Sequence, residues 1–476
     1  MRLSSEPART HQPEPAPQQR LRDGGPGAPW RRAVAELAEE VRGWRFRAGA
    51  LLRASRPGPA ADPLAWLEGN PGEPRCYWRS REGGLTLAGL GAAVRLEAGS
   101  AAEQPQLLQR LHALADGRDE LAFFGGFAFD DARADGRWRG FPAALALLPS
   151  IELRREPEGC RLSAHLLAET AEAFERRRER LLAALEGLAP PAETAAPPAP
   201  GAIRVVARRD DLDHGRCRER IEAILKRIAA GELHKAVLAR EVELRFDAPL
   251  PAFATLRRWQ QASRGSFCFA IEQGGQVFMG CSPERLFHRE GGSVHTESLA
   301  GTVRRGATAA EDARLERSLH SDPKLVREHA WVTRFIRDEL EPWASASDAG
   351  AEAGTLKLDR IQHRHLPIRA TLKAGVGDGE LLAALHPTPA VCGFPRRRAR
   401  ELITRYEAFE RGWYSGVVGV VTPRSSELAV AIRSALVAGD RAWCYSGVGI
   451  VEGSDPDAEW RELEAKIEAF LTAVQG

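Results

Sequence analysis

Two stretches in the C-terminal half place apolar residues at helical spacing. Leu325, His329, Val332, Ile336 and Leu340 recur every three or four positions, which predicts an amphipathic helix. Glu328 lies four before Val332 and eight before Ile336, so it borders the buried stripe. The second stripe is Leu463, Ile467, Phe470 and Leu471, preceded by Asp455 as N-cap and Pro456 at the first helical position. Glu459, Glu462 and Lys466 then fall close to one face and flank that stripe. Strand-like runs alternate with these helices. Residues 428–437 and 441–445 flank Ala438-Gly-Asp440, and 267–271 and 277–279 flank Gly274-Gly275, so each pair predicts a hairpin. Residues 235–240, in His234-Lys-Ala-Val-Leu-Ala-Arg240, read as another strand, as do residues 121–129, whereas the Arg-rich run 171–188 reads as a helix. Hairpins imply antiparallel pairing, so the fold class is α+β and not a Rossmann sheet. Gly447-Val-Gly449 carries its next glycine, Gly453, one position too late for a dinucleotide fingerprint.

The chain has 476 residues, enough for a large core and more than one folding unit. Residues 1–30 are rich in Pro, Arg, Gln and Ala and are expected to be disordered. Residues 31–188 form an N-terminal part, 189–201 a Pro/Ala-rich loop, and 202–476 hold every motif of interest. Such a loop need not separate independent domains, because a sheet can continue across it. A formal net charge of +2 gives no global pull toward nucleic acid or an anionic membrane. Apolar runs are interrupted before they reach a bilayer's thickness, and Glu6 and Glu14 sit where a leader would be apolar or basic. Seven cysteines without a C-x-x-C pair read as reduced thiols, so a cytoplasmic protein is expected.

Lone charged groups inside apolar or helical stretches carry the candidate chemistry. They occur in HKAVLAR around Lys235, GCSPERL around Glu284, REHAWV around Glu328, HPTPAVCGFP from His386 and AEWRELEAK from Ala458. A lysine flanked by apolar residues either snorkels to the surface or is buried with a partner. Burial would move its pKa down from about 10.4 and make it a usable base. Glu284 follows Ser282-Pro283 at a turn, and its bland alternative is an acid in a helix's first turn. Magnesium takes one or two carboxylates with water and substrate oxygens, and Glu328 with Glu462 on two packed helices would suit it. The bland alternative for Glu462 and Lys466 is an i,i+4 surface pair. His363 and His365 lack a third ligand at recognisable spacing for zinc, and a satisfied structural histidine is the simpler reading of His365.

Together and in this order, the five motifs resemble the chorismate-utilising family: isochorismate and salicylate synthases, anthranilate synthase component I and aminodeoxychorismate synthase component I. The resemblance covers residues 202 to the C-terminus, and FFGGFAFD from Phe123 resembles the N-terminal part of isochorismate synthases. It implies a sandwich of two packed, largely antiparallel sheets with outer helices. Ammonia-using members carry glutamine at the position of Lys235, whereas water-activating members carry lysine. Ala300 stands where some aminodeoxychorismate synthases have a nucleophilic lysine. Two departures, Cys281 before Ser-Pro-Glu and Asp322-Pro-Lys-Leu325 in place of S-x-K-D, are expected to touch no catalytic group.

The resemblance therefore implies an isochorismate synthase acting on chorismate with Mg2+. Lys235 would be the base for water, and Glu284 the acid for the leaving hydroxyl. Glu328 and Glu462 would be metal ligands, with Glu459 reaching the ion directly or through water. Arg433, Lys466 and backbone near Gly301, Thr302 and Gly447 would bind the substrate's carboxylates, and His363, Ala390 and Tyr414 would line the ring pocket. It also implies a monomer with no glutamine amidotransferase subunit. The rivals are salicylate synthase, which goes on to eliminate pyruvate, and less closely anthranilate synthase component I. A nucleic-acid-binding protein, suggested by Arg396-Arg-Arg398 and the arginines near Arg176, fits poorly with near-neutral charge and no interleaved aromatics.

Overall fold

Among the described residues, twenty-two strands gather into two sheets, one of twelve and one of ten, and every pairing between them is antiparallel. The computed structural model describes residues 27–130, 136–190, 203–350, 352–359 and 361–475. Residues 1–26 of the expected disordered extension and 191–201 of the Pro/Ala-rich loop lie outside the described residues. The described residues open with a helix. The helix Ala28–Gly43 starts two residues before Trp30, whose indole is buried edge-on to Trp66.

The twelve-stranded sheet runs from Leu52–Gly58 at one edge to Lys235–Phe246 and Gly393–Phe394 at the other. The ten-stranded sheet runs from Ala344–Ala349 to Val94–Ala98. Residues on both sides of the Pro/Ala-rich loop contribute to each. Arg75–Arg79 pairs with Phe267–Gln273 in the first, and Phe123–Phe127 with Val417–Val421 in the second. The N-terminal part is thus woven into one sandwich with the rest.

Alternation along the strands sends one face of each sheet inward. Trp78, Phe269, Phe278 and Leu436 from the first sheet meet Phe124, Leu145, Val418 and Ala429 from the second in a shared core. Helices cover the outer faces. The final helix, Pro456–Gln475, packs Ile467 and Phe470 on the first sheet, while Val332 and Ile336 of the helix Pro323–Leu340 pack on the second. The predicted stripes therefore face a core, and Asp455 caps the final helix by accepting the Ala458 N–H at 2.8 Å.

Both predicted hairpins form. Gly274 and Gly275 take positive φ at the first turn, as a two-residue turn of this hand requires. The run 428–437 is not one strand, however. It breaks into Ser425–Val430, in the ten-stranded sheet, and Ser434–Ala438, in the twelve-stranded one. An uninterrupted apolar run does not reveal which sheet each half joins, because both halves are buried on both faces.

Candidate active site

The chain crosses between sheets twice at one place. It leaves Gln276–Ser282 in the first sheet, passes Pro283-Glu284 and enters Arg285–Glu290 in the second. The return passes through Ala431-Ile432-Arg433 between Ser425–Val430 and Ser434–Ala438. The crossings run side by side. The Cys281 N–H donates to the Arg433 carbonyl at 3.0 Å, and the Val430 N–H to the Glu284 carbonyl at 3.0 Å. Glu284 and Arg433 thus sit where ladder geometry is interrupted and side chains can be re-aimed. Arg433 takes the left-handed conformation, φ 50°.

Glu284 is 6% exposed. Burial pushes its carboxyl up, the charge of Glu297 pushes it further, and Lys235, Thr388 and Lys466 offset this only in part; the result is about 8. It lies in a turn between strands, not at a helix start. At neutral pH it therefore holds a proton, and the side chains of Lys235 and Lys466 are close enough to act on it.

Lys235 opens the strand Lys235–Phe246 and is fully buried, with Nζ 3.2 Å from Glu328 Oε1. Of the two outcomes open to it, the structure takes burial with a partner. The His234 ring stacks on Trp331 at 4.2 Å and Trp331 on Phe394 at 5.3 Å, fastening the Glu328 helix to the Lys235 strand. The neighbouring strand Arg441–Val451 makes room with glycine. A Cβ on Gly449 would run into the Glu328 carboxylate and come within 2.9 Å of Lys235 Cε. A Cβ on Gly447 would come within 2.8 Å of the Tyr414 hydroxyl.

The carboxylates of two helices meet across this strand. Glu459 is buried and pairs with Lys324 at 2.7 Å, while half-buried Glu462 pairs with Lys466 at 2.7 Å. Lys466 also donates to the Gly447 carbonyl at 2.7 Å, so this i,i+4 pair is tied into the sheet and is not a free surface pair. Burial works against the Lys324 ammonium, but Glu328, Glu459 and Glu462 outweigh it and hold its pKa above the usual range. Lys324 is thus the common neighbour of all three acids. Asp322-Pro-Lys-Leu325 was expected to touch no catalytic group; it does reach the candidate metal ligands, since helix geometry brings Lys324 onto the same side as Glu328, one turn away, and Lys324 pairs with Glu459. Among the described residues no three His, Cys, Asp or Glu side chains stand close enough to enclose a metal ion. Each carboxylate is instead closed on a lysine. The donor set nonetheless fits magnesium: it is all oxygen, and the three charges act on one another.

The remaining candidates surround the same place. Gly301 takes φ 77° at a bulge in Ser293–Arg304, where its missing Cβ lets Leu325 approach. Thr302 Oγ1 lies 2.8 Å from His363 Nδ1. Burial first, then Arg433 and Lys466, push His363 down to about 3, so its ring is neutral, and its buried Nε2 has no hydrogen-bond partner among the described residues. The half-buried Arg433 guanidinium has no ion-pair or hydrogen-bond partner among the described residues, although Glu462 and Tyr414 act on it. Tyr414 stacks on Tyr445 at 5.0 Å, and half-buried Ala390 donates its N–H to Thr388 Oγ1 at 3.3 Å. His365 pairs with Glu297 at 3.0 Å, the satisfied structural histidine. The sequence reading gave no role to Lys324, Thr388, Glu297 or Arg81. Lys324 and Thr388 had a signal, their positions inside Asp322-Pro-Lys-Leu325 and HPTPAV; Glu297 and Arg81 gain their places through contacts distant in the chain.

Outside this site, arginine-rich helices are neutralised locally. Arg176 pairs with Glu172, and Arg398 with Glu401 at 2.9 Å. All seven cysteines are free thiols. No helix among the described residues is long and apolar enough to cross a membrane.

The sequence model of chorismate binding enzymes matches residues 39–475. The isochorismate synthase MenF of Bacillus subtilis is 31% identical over 452 residues, covering 90% of this chain and 94% of that protein. The salicylate biosynthesis isochorismate synthase of Pseudomonas aeruginosa is 31% identical, covering 84% and 85%. The solved structure of MenF, the menaquinone-specific isochorismate synthase of Escherichia coli, superposes with a TM-score of 0.83 at 30% identity, covering 94% of this chain and all of that one. Because that match runs through both sheets and through every element that carries a candidate side chain, the chain belongs to the chorismate binding enzymes.

Proposed function

We propose that this chain is an isochorismate synthase, an isomerase that converts chorismate to isochorismate. The observation that carries the reading is Glu284: a buried carboxyl held protonated at neutral pH, within electrostatic reach of a buried amine. The reaction adds water oxygen at ring C2 and expels the C4 hydroxyl while the ring double bonds shift. Water is a poor nucleophile and hydroxide a poor leaving group, so a base must meet one and an acid the other. Lys235 acts here as the neutral amine: with its own proton given up beforehand, it takes the proton from the attacking water. Glu284 gives its proton to the departing oxygen, which leaves as water. One proton is taken and one given, so atoms and charge balance.

The unpaired Arg433 guanidinium suits a carboxylate, because its fork binds bidentately. Lys466 and the backbone at Gly301, Thr302 and Gly447 would complete anion binding, with His363, Ala390 and Tyr414 around the ring. Glu328 and Glu462 would hold Mg2+, with Glu459 beside them, and Lys324, Lys235 and Lys466 occupy those oxygens otherwise. When bound, magnesium neutralises and orients a dianionic substrate. Lysine in place of glutamine at 235 favours water over ammonia as nucleophile, which fits a chain working without an amidotransferase partner. We place the enzyme in the cytoplasm, in keeping with reduced thiols.

Chromatography of products from chorismate and Mg2+ tests the reading. Isochorismate without pyruvate is expected; salicylate with pyruvate would replace it by salicylate synthase, and ammonia-dependent anthranilate would end it. Glu328→Gln and Glu462→Gln should each weaken the Mg2+ dependence of activity, and unchanged titration curves would remove them as ligands.

A further inference from the structure

The turn bearing Glu284 is gripped from both sides by one ion pair. Arg81, between the strands Arg75–Arg79 and Thr86–Leu90, donates through Nη1 to the Pro283 carbonyl at 2.8 Å. The same guanidinium binds Glu297 bidentately, at 2.5 and 2.8 Å. Glu297 Oε1 in turn accepts the Arg285 N–H at 3.0 Å. The residue before Glu284 is therefore held by Arg81 and the residue after it by Glu297. Both side chains are almost sealed, at 8% and 3% exposure. His365 closes the cluster against Glu297 Oε2 at 3.0 Å, and the Arg81 guanidinium lies over the Phe267 ring.

We propose that the Arg81–Glu297 pair is a positioning device for Glu284, bracketing its turn and fixing a permanent negative charge behind its carboxyl. The proposal rests on the reading of Glu284 as the proton donor. A buried carboxylic acid ionises early if cations dominate its surroundings, and two face it here: Lys235 from its strand and Lys466 from the final helix. Glu297, on the strand Ser293–Arg304, is the opposing charge. Burial resists its ionisation, but His365 and Arg81 outweigh that and hold Glu297 near 2, so it remains an anion wherever the enzyme works. Arg285, next to the acid, turns its own guanidinium to Glu82 at 2.8 Å and Glu427 at 3.4 Å, which lessens its pull on Glu284. Arg81 comes from the N-terminal part of the chain, which carries none of the five motifs.

The test compares wild type, Glu297→Gln, the double variant Arg81→Met/Glu297→Met and Glu284→Gln in the full-length protein. The double variant removes both charges together and leaves no buried ion unpaired. Carboxyl 13C resonances of glutamate-labelled protein, with Glu284 assigned through Glu284→Gln, give its titration without substrate. Glu297→Gln should lower that midpoint by about one pH unit or more, because a like charge is lost and Arg81 is left uncompensated. The double variant should shift it the same way by less. The alkaline limb of kcat/KM should follow both. Reduced kcat with the midpoint and limb unmoved in both variants would overturn the proposal. Full activity of Glu284→Gln would instead overturn the acid assignment, and the carboxyl titration would still decide whether the pair sets that carboxyl's charge.

Discussion

The strand Arg285–Glu290 has a buried carboxyl at each end, and the two behave oppositely. Near its far end Arg289 grips Asp378 bidentately at 2.6 and 2.7 Å, with the Ser426 hydroxyl as a further donor and His112 at 3.5 Å. Burial opposes ionisation of Asp378, but Arg289 and His112 outweigh it and hold the carboxyl near 2. At the near end Glu284 is as deeply buried but has no arginine of its own, and its carboxyl rises to about 8. Burial raises both carboxyls, and the partner decides whether it prevails: at Asp378 a matched arginine overrides it and makes a structural anion, whereas at Glu284 burial stands, reinforced by Glu297, and the proton is kept.

The largest expected effect that tests this contrast is on chemistry. Glu284→Gln should lower kcat by about 10²- to 10⁴-fold, the usual range for general acid catalysis, with the fold retained by circular dichroism. A smaller loss would leave Glu284 as a structural group. Asp378→Asn should do the reverse: stability falls by about 3–5 kcal/mol in denaturant titration because Arg289 is left buried and unpaired, while surviving folded enzyme keeps most of its kcat. An unchanged midpoint would show that the Arg289–Asp378 pair is no lock.

The pH dependence of stability sharpens the comparison. Glu284 has a folded pKa raised above its unfolded value of 4.5, so its contribution is present at low pH and is lost as pH rises from about 4.5 through about 8. Removing the group should therefore raise the stability of Glu284→Gln over wild type above pH 8 by a few kcal/mol, on the order expected from that shift. Asp378 has the opposite sign: its contribution is present above 3.8 and is lost as pH falls through about 2. A melting-temperature series in which the Glu284→Gln gain did not grow with pH would remove the raised pKa. Smaller again, Gly449→Ala should cost about 1–3 kcal/mol by overpacking against Glu328 and Lys235 and should lower activity in step. Wild-type kinetics for that variant would show that the pair has room to shift.

Local features of the sequence carried much of the fold. The stripes through Val332 and Leu463, the Asp455–Pro456 helix start and the Gly274–Gly275 turn depend on neighbours a few residues away, and each was legible for that reason. The run 428–437 was not, since apolarity marks burial without saying in which sheet. The same limit governed the site. The five motifs named Lys235, Glu284, Glu328 and Glu462 through resemblance. Helical spacing puts Lys324 one turn from Glu328, but no periodicity brought it to Glu459 or brought Arg81 to the Glu284 turn, because those contacts join residues more than a hundred positions apart.

The sequence by itself determined the two helix stripes and the faces they bury, the Gly274–Gly275 turn and which charged groups interrupt apolar stretches, since these follow from side-chain type at fixed short spacing. Only the tertiary structure decided the protonation of Glu284, the freedom of Arg433 and the lysine closed on each of Glu328, Glu459 and Glu462. A charge's state depends on the dielectric around it and on the charges within a few ångströms, and those neighbours are assembled from both sheets and both ends of the chain.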